Sequence, residues 1–149
     1  MNKINLGVEY ELCLALRGDV RDLIKELIDN ELVVVYVFSK EYPNTWRGNN
    51  VIKLANSIGT TNIELTSNAD FSSIVNSLNI KVFLSANQDI LNELITNSSN
   101  INVFNVLNNV RTMKIKELDD SSGNKVTIDE IFIPYVDEVY KCIEELLEN

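Results

Sequence analysis

Glu9 and Glu11 stand two residues apart, just past Gly7, in the opening stretch INLGVEYEL. Acids at that spacing after a first strand can supply a nucleophile and a general acid/base for hydrolysis. Partners for such a pair must come from elsewhere in the chain. Ser39 closes the apolar run ELVVVYVFS, Lys81 lies near the start of IKVFLS, Ser85 ends that run, and Asp89 follows four residues later. Each also has a plain structural reading. A serine at a strand end commonly caps a turn, a lysine starting a strand is as often a surface residue, and an acid in the first turn of a helix is favoured by the dipole. The chain has no histidine, which excludes Ser-His-Asp and Cys-His catalysis and every histidine-based metal site. Cys13 and Cys142 are far apart and in no motif, so they read as buried free thiols, and zinc is not expected. Neither a G-x-G-x-x-G nor a P-loop signature is present, so no nucleotide site of those kinds is indicated.

The elements that must position these residues follow from the apolar pattern. Ile4–Val8 predicts a strand, and Leu12–Leu16 either extends it or forms a small flap. RGDVRDLIKELIDN predicts a helix capped by Asp19, with Val20, Leu23, Ile24, Leu27 and Ile28 on one face. ELVVVYVFSK is a β-branched run suited to a strand buried on both faces. EYPNTWRGNN predicts a loop leading into a helix that ends near Gly59. TNIEL, IKVFLS and INVFNV predict three further strands. NADFSSIVNSLN, capped by Ser67 or Asn68, and ANQDILNELITNS predict the helices between them. Strand and helix alternate from residue 4 to 106, which implies right-handed crossovers and a parallel sheet covered on both faces. Past residue 110 the pattern changes to two strands around the Asp119–Asn124 turn, then a closing helix with Pro134 in its first turn. The expected fold is an α/β, Rossmann-like three-layer sandwich. It has a mainly parallel five-stranded sheet plus a C-terminal hairpin and helix, in a single domain over residues 1–149.

Composition narrows the class. At 149 residues with 45% hydrophobic content, one domain can bury a sizeable core. No apolar run reaches the roughly 20 residues of a membrane span. The first residues lack a signal-peptide pattern, so a cytoplasmic protein is expected, with no membrane partner. The formal net charge of −9 argues against a phosphate-contacting nucleic-acid binder. Asp129, Glu130, Asp137, Glu138, Glu144, Glu145 and Glu148 crowd the C-terminal segment. They read as a solvated helix face or as a surface for a basic partner or a DNA mimic.

In an open parallel sheet, ligands bind outside the carboxyl ends of the strands. That rule nominates Gly7–Glu11, Ser39–Lys40, Thr66–Asp70 and Ser85–Asp89. At these residues the chain resembles the haloacid dehalogenase-like superfamily. Its members open with a strand and a D-x-D-x-T/V signature, follow with a helix introduced by R-P-G-V-x-x-x-L, and end the second strand in Ser or Thr. A lysine and a strand closed by G-D-x-x-x-D come later. LRGDVRDLIKELIDNELVVVYVFS is similar to the second half of that opening, and IKVFLSANQDIL to the acidic-motif region. The resemblance implies a phosphoryl-oxygen contact for Ser39, a charge-balancing role for Lys81, and Asp89 as the second acid of the last motif. It also puts Gly7 where the nucleophilic aspartate stands, Glu9 where the general acid/base stands, Glu11 at the Thr/Val and Ser85 at the first acid of the last motif. Glycine has no side chain with which to attack phosphorus, and Mg²⁺ loses oxygen ligands at Gly7 and Ser85.

The expectation is therefore a catalytically inactive haloacid dehalogenase-like domain that acts by binding a protein partner or a small phosphorylated ligand, with no catalytic residue, metal or cofactor. Its size, its abundance of asparagine and the degenerate motif suggest an accessory or inhibitor protein of a phage or mobile element. Ligand contacts are expected from Gly7, Glu9, Ser39, Lys40, Ser85 and Asp89. Partner contacts are expected from the loop residues Tyr42, Trp46 and Arg47, since Trp and Arg are common interface anchors. The alternative shifts the register by two and makes the chain a divergent Mg²⁺-dependent phosphatase or nucleotidase built on Glu9, Glu11, Ser39, Lys81 and Asp89. A receiver-like domain using Asn68 and Asp70 ranks last.

Overall fold

The computed structural model describes residues 2–66, 71–98, 100–107, 110–119, 125–133 and 135–148. Strand β1 (Ile4–Glu9) runs into a single π-helical turn (Tyr10–Leu14), then α1 (Gly18–Asp29), β2 (Val33–Ser39), α2 (Trp46–Ile58) and β3 (Asn62–Leu65). Next come α3 (Phe71–Ser77), β4 (Val82–Ser85), α4 (Gln88–Asn97) and β5 (Asn102–Asn105). The hairpin β6 (Val110–Asp119) and β7 (Lys125–Ile133) precedes α5 (Tyr135–Glu148).

Strands β1 to β5 form one parallel sheet, as the alternating pattern predicts; its order is β3-β2-β1-β4-β5, and β6 and β7 pair antiparallel in a separate two-stranded sheet. The chain builds outward from β1 through β2 and β3, then returns to the other side of β1 with β4. The strand order therefore reverses beside β1, the position where such sheets open a crevice at their carboxyl edge.

Two apolar layers cover the sheet. On one face Leu6, Val8, Val35, Val37, Val82 and Leu84 pack against Val20, Leu23, Ile24 and Leu27 of α1, Val51, Ala55 and Ile58 of α2, and Val139 and Ile143 of α5. On the other, Phe38 and Phe83 pack with Phe71 and Val75 of α3 and Ile90, Leu91 and Leu94 of α4. Both-face burial is why β2 and β4 are continuous apolar runs rather than alternating ones.

Three local expectations change. Leu12–Leu16 neither extends β1 nor forms a flap. The chain closes into the π-turn because the Glu9 side chain accepts from the Leu12 amide, and the Ala15 amide reaches the Tyr10 carbonyl. Asp19 is not the cap of α1. The cap position is Arg17, and Asp19 lies in the first turn, where its Oδ2 accepts from Arg17 Nη2 and Tyr135 Oη, both at 2.9 Å. The loop expected over EYPNTWRGNN ends early, because Thr45 caps α2 by accepting from the Gly48 amide, so Trp46 and Arg47 stand in the first turn of the helix and not in a loop. Expectations for Ser67 to Asp70, the Asp119–Asn124 turn beyond Asp119 and Pro134 lie outside the described residues.

Candidate functional site

Three strands end in polar side chains at one edge: β1 in Glu9, β2 in Ser39 and β4 in Ser85, all buried. The register explains their meeting. Glu9 lies level with Phe38, and Val8 with Leu84, so the terminal residues of β2 and β4 flank the end of β1.

Glu9 is 1% exposed. Its Oε1 accepts from Ser85 Oγ at 2.7 Å and from the Ala86 amide at 3.4 Å, and its Oε2 accepts from the Leu12 amide. A buried carboxylate needs such donors to offset the loss of water. Glu11, half-buried, leans the other way. Its Oε2 accepts from Ser39 Oγ at 2.6 Å and its Oε1 from the Lys40 amide at 3.4 Å. Burial pushes the Glu11 carboxyl above the usual range, more than the bonds from Ser39 and Lys40 pull it down. Each serine also accepts a bond from the amide two residues on: Glu41 to Ser39 at 3.1 Å and Asn87 to Ser85 at 2.9 Å. The two glutamates thus make matching clamps, one onto β4 and one onto β2. A hydroxyl has a single proton to donate, and in both serines it goes to a glutamate.

Above the clamps lies a crevice of about 100 Å³ lined by Glu9, Glu11, Leu12, Lys40, Asn87 and Ile90. Arg21 braces the π-turn that carries Leu12, donating through Nη1 to the Leu14 and Ala15 carbonyls at its end. Asn87 caps α4, its Oδ1 accepting from the Asp89 and Ile90 amides.

Of the residues expected to bind ligand, Glu9 and Lys40 line the crevice, and Ser39 and Ser85 lie beneath it. Gly7 does not. It lies inside the sheet, where an added Cβ would fall 2.6 Å from Phe83 Cδ2 and 3.2 Å from Phe38 Cε1. The Phe38 ring packs edge-on to those of Phe83 and Phe71, both with centroids 5.3 Å apart. Glycine is required at position 7 because these rings fill the space a side chain would take. Asp89 is exposed on the first turn of α4 and is not among the crevice-lining residues. Lys81 precedes β4, at the amino edge of the sheet, and lines a different groove of about 620 Å³ with Val75, Asn76, Asn79 and Thr96. Four strand residues, about 13 Å of extended chain, separate it from the carboxyl edge.

The acids present do not fit the family's Mg²⁺ cradle. Glu9 already has both oxygens engaged, Glu11 is the one other carboxylate lining the crevice, and Asp89 stands outside it. Among the described residues no group of three or more His, Cys, Asp or Glu side chains is placed to hold a metal ion. Burial pushes the Cys13 thiol far above its ordinary range, which keeps it protonated and unreactive.

Tyr42, Trp46 and Arg47 are all exposed, with Tyr42 at 77% and Trp46 at 76%. The loop beneath them is tightly built. Thr45 Oγ1 donates to the Tyr42 carbonyl at 2.7 Å and accepts from the Gly48 amide at 3.0 Å. A Cβ on Gly48 would collide with the Tyr42 carbonyl, 2.3 Å away.

Sequence reasoning missed Asn87, Leu12, Ile90 and Arg21. Asn87 carried a signal, since asparagine directly before a helical run that starts Gln-Asp is a cap pattern. Leu12 reaches the site, and Arg21 braces it, only through the π-turn, while Ile90 comes from the first turn of α4. Comparison with known proteins finds no matching family model, curated protein or solved structure. No helix among the described residues is long and apolar enough to cross a membrane.

Proposed function

We propose that this chain is a haloacid dehalogenase-like domain that acts by binding a protein partner and does not transfer phosphoryl groups. The observation that carries this reading is the state of Glu9. It is the acid at the end of β1, and its two oxygens are taken by Ser85, Ala86 and Leu12. Attack on phosphorus needs an oxygen free to approach within about 3–3.5 Å in line. Ser39 and Ser85 likewise have no proton left for a phosphoryl oxygen. A phosphorylated ligand would meet two carboxylates in the crevice against Lys40 alone, so a protein partner is the better supported of the two binding modes. Tyr42 and Trp46 support it further, because exposed aromatic side chains are common anchors of interfaces.

The second reading is a divergent phosphatase with the register shifted by two. It gains from the position of Glu9, rather than Gly7, in line with Ser39 and Ser85 at the strand ends. It loses Lys81 and Asp89, which lie elsewhere. Thermal unfolding with Mg²⁺ and a phosphate analogue separates the two readings. A binding domain keeps its midpoint unchanged, whereas a midpoint rising with analogue concentration favours the phosphatase.

A further inference from the structure

We infer that the β6–β7 hairpin is a dimerisation arm, whose apolar face packs on the same face of a second copy of this chain. This does not rest on the reading of the carboxyl edge. β6 and β7 form a two-stranded sheet of their own, and among the described residues no third strand joins it and no helix packs along it. A two-stranded ribbon is at best marginally stable in water and needs further strands or a packed face to persist.

The register sorts the ribbon into two unlike faces. Cross-strand partners share a face, and so do residues two apart on one strand. The pairs Ile115–Ile128 and Leu118–Val126, with Met113 and Phe132, therefore stand on one face. Over its outer half the other face has Lys114 opposite Asp129 and Asp119 opposite Lys125, pairs of opposite charge suited to water. A bulge keeps the two faces distinct. Strict alternation along β6 would carry Glu117 onto the apolar face and Leu118 off it. The register shift between Ile115 and Glu117 passes over Lys116 and returns Leu118 to the level of Val126. Register is held this strictly where one face is buried.

Charge selects the occupant. β6 and β7 carry four basic and four acidic residues, so the whole net charge of −9 lies on the rest of the chain. On the apolar face the two charged residues, Arg111 and Glu130, also cancel. Two copies of a strongly acidic protein repel one another over most of their surface, and this neutral ribbon is where they can meet. A basic partner would be drawn to the acidic surfaces instead. Strands of ten and nine residues make a face about 30 Å long and about 10 Å wide, and two such faces pressed together bury on the order of 1,000 Å², the lower end of specific interfaces. Lys116 at the bulge blunts the alternative in which two ribbons add edge to edge.

The test is sedimentation of the full chain from about 1 μM to about 500 μM, the range in which an interface of this size dissociates. The inference expects a shift from the mass of one chain to that of two. It expects Ile128→Lys, on the apolar face, to weaken dimerisation by about a hundredfold or more, because two-fold symmetry repeats the change in both copies. Thr127→Lys, on the opposite face and across from Glu117, is expected to change it by less than about threefold. Amide exchange adds a readout on the wild type alone: protection of β6 and β7 rises with protein concentration, while that of β1 does not. A single chain mass at every concentration overturns the inference, and so does equal weakening by the two variants. Hairpin protection independent of concentration overturns it as well, since the ribbon would then be covered by its own chain.

Discussion

The Ser85 hydroxyl donates to Glu9 at 2.7 Å across the point where the strand order reverses, tying the end of β4 to the end of β1. In an open sheet these two ends part to admit a ligand; here a buried hydrogen bond joins them. Ser85→Ala leaves a buried carboxylate oxygen short of its best donor. The expected cost is about 1.5–3 kcal/mol, the range for a hydrogen bond to a charged group, read from urea unfolding at unchanged slope. Ser39→Ala costs less, because its partner Glu11 is half-exposed and water can replace the hydroxyl.

Gly7 gives the sharpest contrast between the family pattern and this core. Gly7→Asp, which puts at this position the aspartate of the haloacid dehalogenase-like pattern, places a carboxylate against the Phe83 and Phe38 rings, with no donor for it. The variant is expected to lose cooperative unfolding and to gain no hydrolytic activity. Gly7→Ala adds only a methyl group and is expected to cost about 1–3 kcal/mol through overpacking. A Gly7→Ala protein as stable as the wild type would show that the rings shift freely.

Much of the fold was legible in the residues. Continuous apolar runs at Val33–Phe38 and Val82–Leu84 fit strands covered by helices on both faces, and the spacing of Val20, Leu23, Ile24 and Leu27 is helical. The carboxyl-edge rule also brought Glu9, Glu11, Ser39, Lys40 and Ser85 to one end of the sheet before any geometry was known. The role of Gly7 was not legible, because it depends on rings that lie 31 and 76 positions away in the chain. Nor was the π-turn, whose closure is set by one side chain reaching a backbone amide three residues on. Lys81 was misplaced because a strand's residues travel from one edge of the sheet to the other, and a motif's order does not say at which end a residue stops.

Glu11 makes a prediction about pH. Its folded carboxyl is raised above the unfolded value, mainly by burial, so the folded state holds that proton more tightly. Its contribution to stability therefore grows as pH falls through the raised value and is lost as pH rises past it. Glu11→Gln is expected to unfold at an equal or higher temperature than the wild type at neutral pH, and to flatten this part of the stability profile. A clear loss of stability at neutral pH would mean that the ionised Glu11 holds the fold together.

Asp19 has the opposite sign. Burial raises its carboxyl, but the bonds from Arg17 and Tyr135 outweigh that and hold it below its ordinary value. Its stabilisation is present above the unfolded pKa and is lost as pH falls through the folded one. Because Tyr135 begins α5, this bond joins the last helix to the first turn of α1. Tyr135→Phe is expected to cost about 0.5–1.5 kcal/mol and to weaken the acid limb of the profile. Hydrogen exchange of α5 amides would then speed up ahead of those in β1.

The central claim is that the acidic edge binds and does not catalyse. It is tested most directly by incubating the purified chain with Mg²⁺ and a generic phosphomonoester, beside the Glu9→Gln variant. The account predicts release of phosphate at the uncatalysed rate for both proteins. Magnesium-dependent turnover by the wild type that disappears in Glu9→Gln would contradict it and make Glu9 a working nucleophile.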